Sequence, residues 1–209
     1  AAGLPTVERF AVVEPEGAGV LQATIKPGVR QSAYDAFVAP VRHRKNLRVE
    51  TGVHVRRVLF EGTRAVGIEA VQDGEVKTWR ASREVVLSAG ALASPQLLML
   101  SGIGDGEQLQ QHGITTLAHR PGVGRNLQDH CSIRVQALCT PQSSYNRDLA
   151  GWRKYWQGFR YVAFKQGYLA MPSSTVAAFI KSRPDMEFAD LEVSFRPMAF
   201  THKGLGEGK

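Results

Sequence analysis

The chain has 209 residues, 43% of them hydrophobic and 22% charged, an ordinary globular composition that excludes a disordered or fibrous protein. Its 26 Lys+Arg against 19 Asp+Glu give +7, which admits an anionic ligand, an acidic membrane surface or nucleic acid. The basic residues are spread along the chain, densest at Arg42-His43-Arg44-Lys45, and with no aromatic-interleaved basic stripe or zinc-finger spacing they predict a solvated face and no nucleic-acid partner.

Ala1-Ala2-Gly3-Leu4-Pro5 has neither the basic leader nor the apolar core of a signal peptide, and there is no initiator Met. Both ends read as cut from something longer. No run is apolar for the roughly 18 residues a membrane span needs. Residues 1 to about 30, rich in Gly and Pro, are expected to be mostly loop. Ser32 is placed to cap a short helix from Ala33 to Val38, which Pro40 disturbs. From Asn46 the alternation of Leu47, Val49, Val53 and Val55 begins an antiparallel meander. Its turns fall at Glu61-Gly62-Thr63-Arg64 and at Gln72-Asp73-Gly74-Glu75, where Asp-Gly tolerates positive φ.

Glu84-Val85-Val86-Leu87-Ser88-Ala89-Gly90 contains a short continuous apolar run, as in a strand buried on both faces of a parallel sheet, and ends in small residues. Ser94-Pro95 follows as a cap and first turn, predicting a helix through Leu100. A second short helix is expected over Glu107–His112, closed by Gly113. Residues 114–130 read as irregular and 131–139 as a strand. Cys131 and Cys139 belong to no Cys-x-x-Cys pair, so they predict small buried thiols in a reducing compartment rather than metal ligands. Residues 140–147 form a polar seam. Residues 148–167 are the best helix candidate, with Trp152, Tyr155, Trp156, Phe159 and Val162 at core-facing spacing. Leu191–Phe195 reads as a strand of a second sheet.

A buried strand, a small-residue turn and a capped helix meet at residues 84–100. A helix N-terminus there favours an anionic group, and small residues let a ligand approach the backbone. On these grounds alone a nucleotide site and a plain strand-to-helix corner are equally compatible. Asp129-His130 suggests acid–base chemistry, but adjacent residues do not ordinarily face each other, and a structural role is preferred.

The stretch Gly90-Ala91-Leu92-Ala93-Ser94-Pro95-Gln96-Leu97-Leu98-Met99-Leu100-Ser101-Gly102-Ile103-Gly104 resembles the second signature of the glucose-methanol-choline oxidoreductases. Gly17–Thr24, Gly28, Arg30 and Ser32-Ala33 resemble the family's approach to it. Asn46-Leu47, Val49, Thr51-Gly52 and Val55 resemble its adenine-side strand, and Pro121–His130 another of its blocks. The likeness covers most of residues 17–200 and is nearest the choline dehydrogenase-like branch. It implies an α/β fold: part of a Rossmann-like FAD-binding domain with an antiparallel meander, about residues 1–135, and the start of an α+β substrate domain over 136–209. It implies FAD as cofactor, with Val55, Ala89, Gly90 and Ser94 on the adenosine side. The implied activity is oxidation of a primary alcohol (choline-like, aliphatic or aromatic), with a quinone-like acceptor or oxygen taking the electrons. The expected location is cytoplasmic, free or peripheral to a membrane.

The family's opening Gly-x-Gly-x-x-Gly turn is absent from this sequence. No segment matches the family's catalytic histidine block, so no catalytic residue is expected here. The missing parts are expected on the rest of a longer polypeptide or on a companion chain; a non-catalytic binding module is the alternative.

Overall fold

The computed structural model describes residues 3–10, 16–137, 144–198, 200–201 and 204–205. In chain order its strands are β1 (Gly17–Val20), β2 (Val53–Glu61), β3 (Arg64–Gln72), β4 (Glu75–Arg80), β5 (Ile103–Gly104), β6 (Ala118–His119), β7 (Val176–Ile180), β8 (Leu191–Phe195), β9 (Phe200–Thr201) and β10 (Gly204–Leu205). The α-helices are α1 (Gly90–Leu100), α2 (Gly106–Gln111) and α3 (Arg153–Phe164). The fold is mixed α/β.

Two compact units divide the chain, one of residues 45–133 and one of 1–44 with 134–209. The first is built on the antiparallel meander β2-β3-β4. Its turns fall at the two expected places, and the second is set by Asp73 at φ 56 and Gly74 at φ 81, the paired positive values of a tight hairpin. The strand starts at Val53, not Asn46, because Gly52 at φ 68 breaks the extended backbone before it. Ala70, fully buried, pairs with Val55. Between Val55 and Arg57 the register slips by one residue, so Arg56 is the extra residue of a β-bulge.

α1 begins at Gly90, not Ser94, and carries Pro95 inside it. The proline costs one ladder bond, the one Ala91 C=O would accept, and the helix continues past it to Leu100. α2 starts on Asp105, whose carboxylate accepts the Glu107 N–H at 3.2 Å. It ends with the Gly113 N–H on Gln110 C=O at φ 69. Leu109, 2% exposed, anchors it. β5 and β6 form the parallel pair.

Two expectations fail in this unit. Residues 84–88 form no helix or strand and pair with no strand among the described residues, and Val86 is 74% exposed. The apolar run has the composition of a sheet interior, yet a ladder needs neighbours and none of the described strands lies beside it. Residues 131–137 likewise form no strand; Ile133, Val135 and the Cys131 thiol are exposed. Alternation alone does not make a strand without a surface to bury it. Cys139 lies outside the described residues.

In the other unit β1 lies antiparallel against β7, and β7 against β8. The N-terminal stretch, mostly loop with short extended stretches, supplies the four-residue strand β1, and Phe10 packs on Phe179 with ring centroids 5.0 Å apart. The helical turn Tyr34–Val38 is capped as expected: Ser32 Oγ accepts the Asp35 N–H at 3.2 Å, and the Asp35 carboxylate accepts the Ser32 N–H and O–H. Gly28, at φ 69, leaves no room for a side chain because a Cβ would overlap the Lys165 carbonyl.

α3 is present, but its orientation reverses the expectation. Trp152, Tyr155, Trp156, Phe159 and Val162 are between 51% and 72% exposed, while Gln157 is buried. The periodicity marks one apolar face correctly. It does not say which surface that face meets, and in this unit the helix packs through Gln157 instead.

Candidate functional site

The strand-to-helix corner at Ala89–Ser94 is built by its own backbone. Gly90 sits at φ 86, a left-handed conformation that swings the chain from the preceding run into α1 without steric cost. Ser94, one turn along, reaches back so that its Oγ accepts the Ala89 N–H at 3.0 Å. The structure therefore brings Ala89, Gly90 and Ser94 together. A Cβ on Gly90 would meet nothing within 4 Å, so the backbone there opens on free space. The free N–H groups of the first helical turn face the same end, and an eleven-residue helix gives them a macrodipole. An extended nucleotide fits such a corner: it needs close backbone approach and donors for an anion.

α1 is held at its other end. The Val58 N–H of β2 donates to Ser101 Oγ at 2.8 Å, and the Ser101 hydroxyl donates to Leu97 C=O at 2.5 Å. Gly102, at φ 87, presents its carbonyl to the Leu117 and Ala118 N–H groups at 2.7 and 3.1 Å. Gly124 lies over α1, where a Cβ would stand 3.3 Å from Met99 Cε, a tight contact that the methionine would have to yield to by a few tenths of an ångström. The blocks 90–104 and 121–130 thus pack on each other. Val55 stands on β2, half-buried beside the bulge, and shares no hydrogen bond with Ala89, Gly90 or Ser94 among the described residues.

Asp129 and His130 do interact, but through the backbone. The Asp129 carboxylate accepts the His130 N–H at 2.8 Å, and the imidazole is exposed. That bond closes a local turn and leaves the two side chains unpaired with each other. Arg125, from the same block, pairs with Asp105 at 2.8 Å and ties the loop to the cap of α2.

A feature not anticipated from sequence is an open groove of about 580 Å³ lined by His54, Arg56, Arg57, Glu69, Val71 and Leu100. Arg57 donates to Glu69 at 2.9 Å, and Arg56 lies 3.7 Å from it. The Arg57 hydrogen bond, opposed by partial desolvation and helped by both guanidinium charges, holds the Glu69 carboxyl below its ordinary range. The run His54-Val55-Arg56-Arg57 was the available signal, but a bulge that turns Arg56 and Arg57 toward one carboxylate is not written in strand alternation. Among the described residues, no group of three or more His, Cys, Asp or Glu could hold a metal.

The sequence pattern of the family described as GMC oxidoreductase matches residues 1–132. The chain is 42% identical over 196 residues to the mitochondrial choline dehydrogenase of Homo sapiens, covering 94% of this chain and 33% of that protein. It is 38% identical over 203 residues to an oxygen-dependent choline dehydrogenase of Brucella anthropi, covering 97% and 37%. Among solved structures, a formate oxidase superposes with a TM-score of 0.73 at 28% identity, over 85% of this chain and 31% of that one. Pyridoxine 4-oxidase from Mesorbium loti superposes at 0.62 with 30% identity, over 94% and 33%. The chain spans about one third of the length of these relatives.

Proposed function

Since the chain belongs to the GMC oxidoreductase family, we propose that it forms part of a flavin enzyme that oxidises a primary alcohol to the aldehyde, with a choline-like alcohol the preferred substrate class. The observation that carries this is the open corner at Ala89-Gly90-Ser94, where the backbone faces free space within the family signature. Choline dehydrogenases are the curated relatives that support the substrate class.

FAD, when bound, supplies the two-electron acceptor for the hydride of the alcohol carbon. Gly90 would let the adenosine half approach the backbone, and the first-turn N–H groups of α1 would add donors beside the main pyrophosphate cradle, which is assigned outside this sequence. Ser94 keeps the turn closed by holding the Ala89 N–H. Val55, beside the β2 bulge, would offer its backbone to the adenine. Residues 1–135 contribute to the flavin-binding domain and 136–209 begin the substrate domain, with β1 joining the sheet of the latter. No residue of this chain is assigned to take the hydroxyl proton. That base and the pyrophosphate cradle are assigned to polypeptide beyond this sequence or to a companion chain. Electrons leave to a quinone-like acceptor or to oxygen.

The test is anaerobic titration of the purified holoprotein with choline and with simple aliphatic and aromatic alcohols. Bleaching of the flavin bands is expected, with choline effective at the lowest concentration. A colourless protein that ignores added FAD overturns the proposal and favours a non-catalytic binding module.

A further inference from the structure

We propose that Ser101 is a positioning residue for the cofactor: it holds the outer edge of β2 against α1 and so fixes the Val55 backbone relative to the Ala89–Ser94 corner. The proposal rests on reading that corner as the adenosine side of the flavin site. Ser101 itself touches no nucleotide in this account; it acts through β2.

The Ser101 hydroxyl is engaged on both sides. It donates to Leu97 C=O at 2.5 Å, inside its own helix, and accepts the Val58 N–H at 2.8 Å. The first bond fixes the direction of the O–H, so a lone pair is held toward β2. Val58 is only 6% exposed, and β2 is the outer strand of the sheet β2-β3-β4. Its N–H would be stranded without the serine. Among the described residues no other hydrogen bond joins β2 to α1.

The bulge gives this bond a consequence for Val55. Successive pairs along an antiparallel ladder alternate between hydrogen-bonded and non-hydrogen-bonded. Val58 donates away from β3, so Val58–Ile68 is a non-hydrogen-bonded pair and the adjacent Arg57–Glu69 a hydrogen-bonded one. In a regular strand Val55, three residues from Val58, would then turn its N–H and C=O toward β3. Arg56 is the extra residue of the bulge, so Val55 stands opposite Ala70, and that pair is again non-hydrogen-bonded. Val55 and Val58 therefore present their backbone groups to the same outer edge. Ser101 takes Val58, and the groups that adenine would use on Val55 lie two ladder positions along. A bulge bends and twists its strand, and Ser101 pins the strand beside that bend.

The experiment uses the full-length flavoenzyme carrying this sequence, stripped of flavin and titrated with FAD. ADP, which carries the adenosine half alone, is measured by competition with FAD. Ser101→Ala should weaken both nucleotides about tenfold in the folded protein. Ser101→Thr keeps the hydroxyl and should restore both. Ser101→Cys, a poorer acceptor of similar size, should fall between, and reads the same effect if the alanine variant folds poorly. Gly62→Ala, destabilised in the β2–β3 turn, should bind both as the unaltered enzyme does. A lower unfolding midpoint with both affinities unchanged overturns the proposal; a strand from the rest of the polypeptide paired along that edge would give this result. Loss of FAD affinity with ADP unchanged also overturns it, because the effect then lies on the flavin half. Gly90→Ala, measured alongside, separates the two readings. If it weakens ADP and Ser101→Ala does not, the proposal alone fails. If neither weakens ADP, the adenosine reading fails with it.

Discussion

Substituting Gly90 separates a cofactor corner from a plain turn. At φ 86 a side chain is strained whatever surrounds it, at about 1–2 kcal/mol. Nothing lies within 4 Å of the new Cβ, so no clash adds to that cost. Gly62, in the β2–β3 turn at φ 60, also faces open space and carries the same conformational cost far from any assigned role. Gly62→Ala is therefore the matched control. Urea unfolding of the two variants should show equal destabilisation of about 1–2 kcal/mol. Flavin content after dialysis should not be equal. If the adenosine half approaches Gly90, a methyl group there keeps it from the backbone, and Gly90→Ala should lose flavin at least about tenfold more readily, about 1.4 kcal/mol of affinity. Gly62→Ala should retain it. Equal retention by both variants would refute the assignment of Gly90 and leave the corner as architecture only.

Ser101→Ala removes the acceptor for the Val58 N–H and should cost about 1–3 kcal/mol in thermal or urea unfolding, the usual penalty for stranding a partly buried donor. Glu69 is held below its ordinary range mainly by the Arg57 hydrogen bond, so the pairing contributes stability above the ordinary carboxylate value of 4.5 and loses it as pH falls through the lower folded value. Glu69→Gln should flatten that acid limb while leaving the neutral-pH spectrum of the fold unchanged. The Tyr168 hydroxyl donates to Asp148 at 3.0 Å, and that bond, then burial, raises its titration above 10.0. Its contribution is complete below that value and is lost as pH rises through the folded one; Tyr168→Phe should abolish this alkaline loss in a stability–pH series.

What could be read from sequence was local. Asp73-Gly74, the Ser32 cap and Gly113 each carry a conformational requirement within a few residues, and each stands where expected. The signature at 90–104 was legible as a family pattern; its helix start was not, since α1 begins at Gly90 and Ser94 lies within it. What could not be read depended on neighbours. Val85-Val86-Leu87 has the composition of a sheet interior, but a strand exists only where another chain segment offers its ladder. The α3 stripe was legible as a stripe, yet spacing does not reveal whether Gln157 or Trp156 turns inward. The Arg56–Arg57–Glu69 groove needed the bulge after Val55, a register slip with no residue-level signature.

The signature at 90–104 then divides into two ends about 15 Å apart along α1, with different duties. Its C-terminal end is closed. A Cβ at Gly102 would stand 2.6 Å from Thr115 O and 3.1 Å from Leu117 N, on top of a left-handed φ of 87. Those neighbours are backbone, held by Gly102's own carbonyl, so they cannot swing aside. Gly102→Ala should cost the roughly 1–2 kcal/mol of the conformation plus about 1–3 kcal/mol of displacement, roughly 2–5 in all. That is a large share of the roughly 5–15 kcal/mol that holds a domain folded. Flavin affinity in the fraction that remains folded should be unaltered, because the packing that a methyl group disturbs there lies between α1 and the β5–β6 pair. Gly90→Ala should show the converse, a modest stability loss with a large loss of flavin. If Gly102→Ala instead costs less than about 1 kcal/mol, or releases flavin from folded protein, then the two ends of the helix are not separable and the corner at Ala89–Ser94 owes its cofactor role to the packing beneath it.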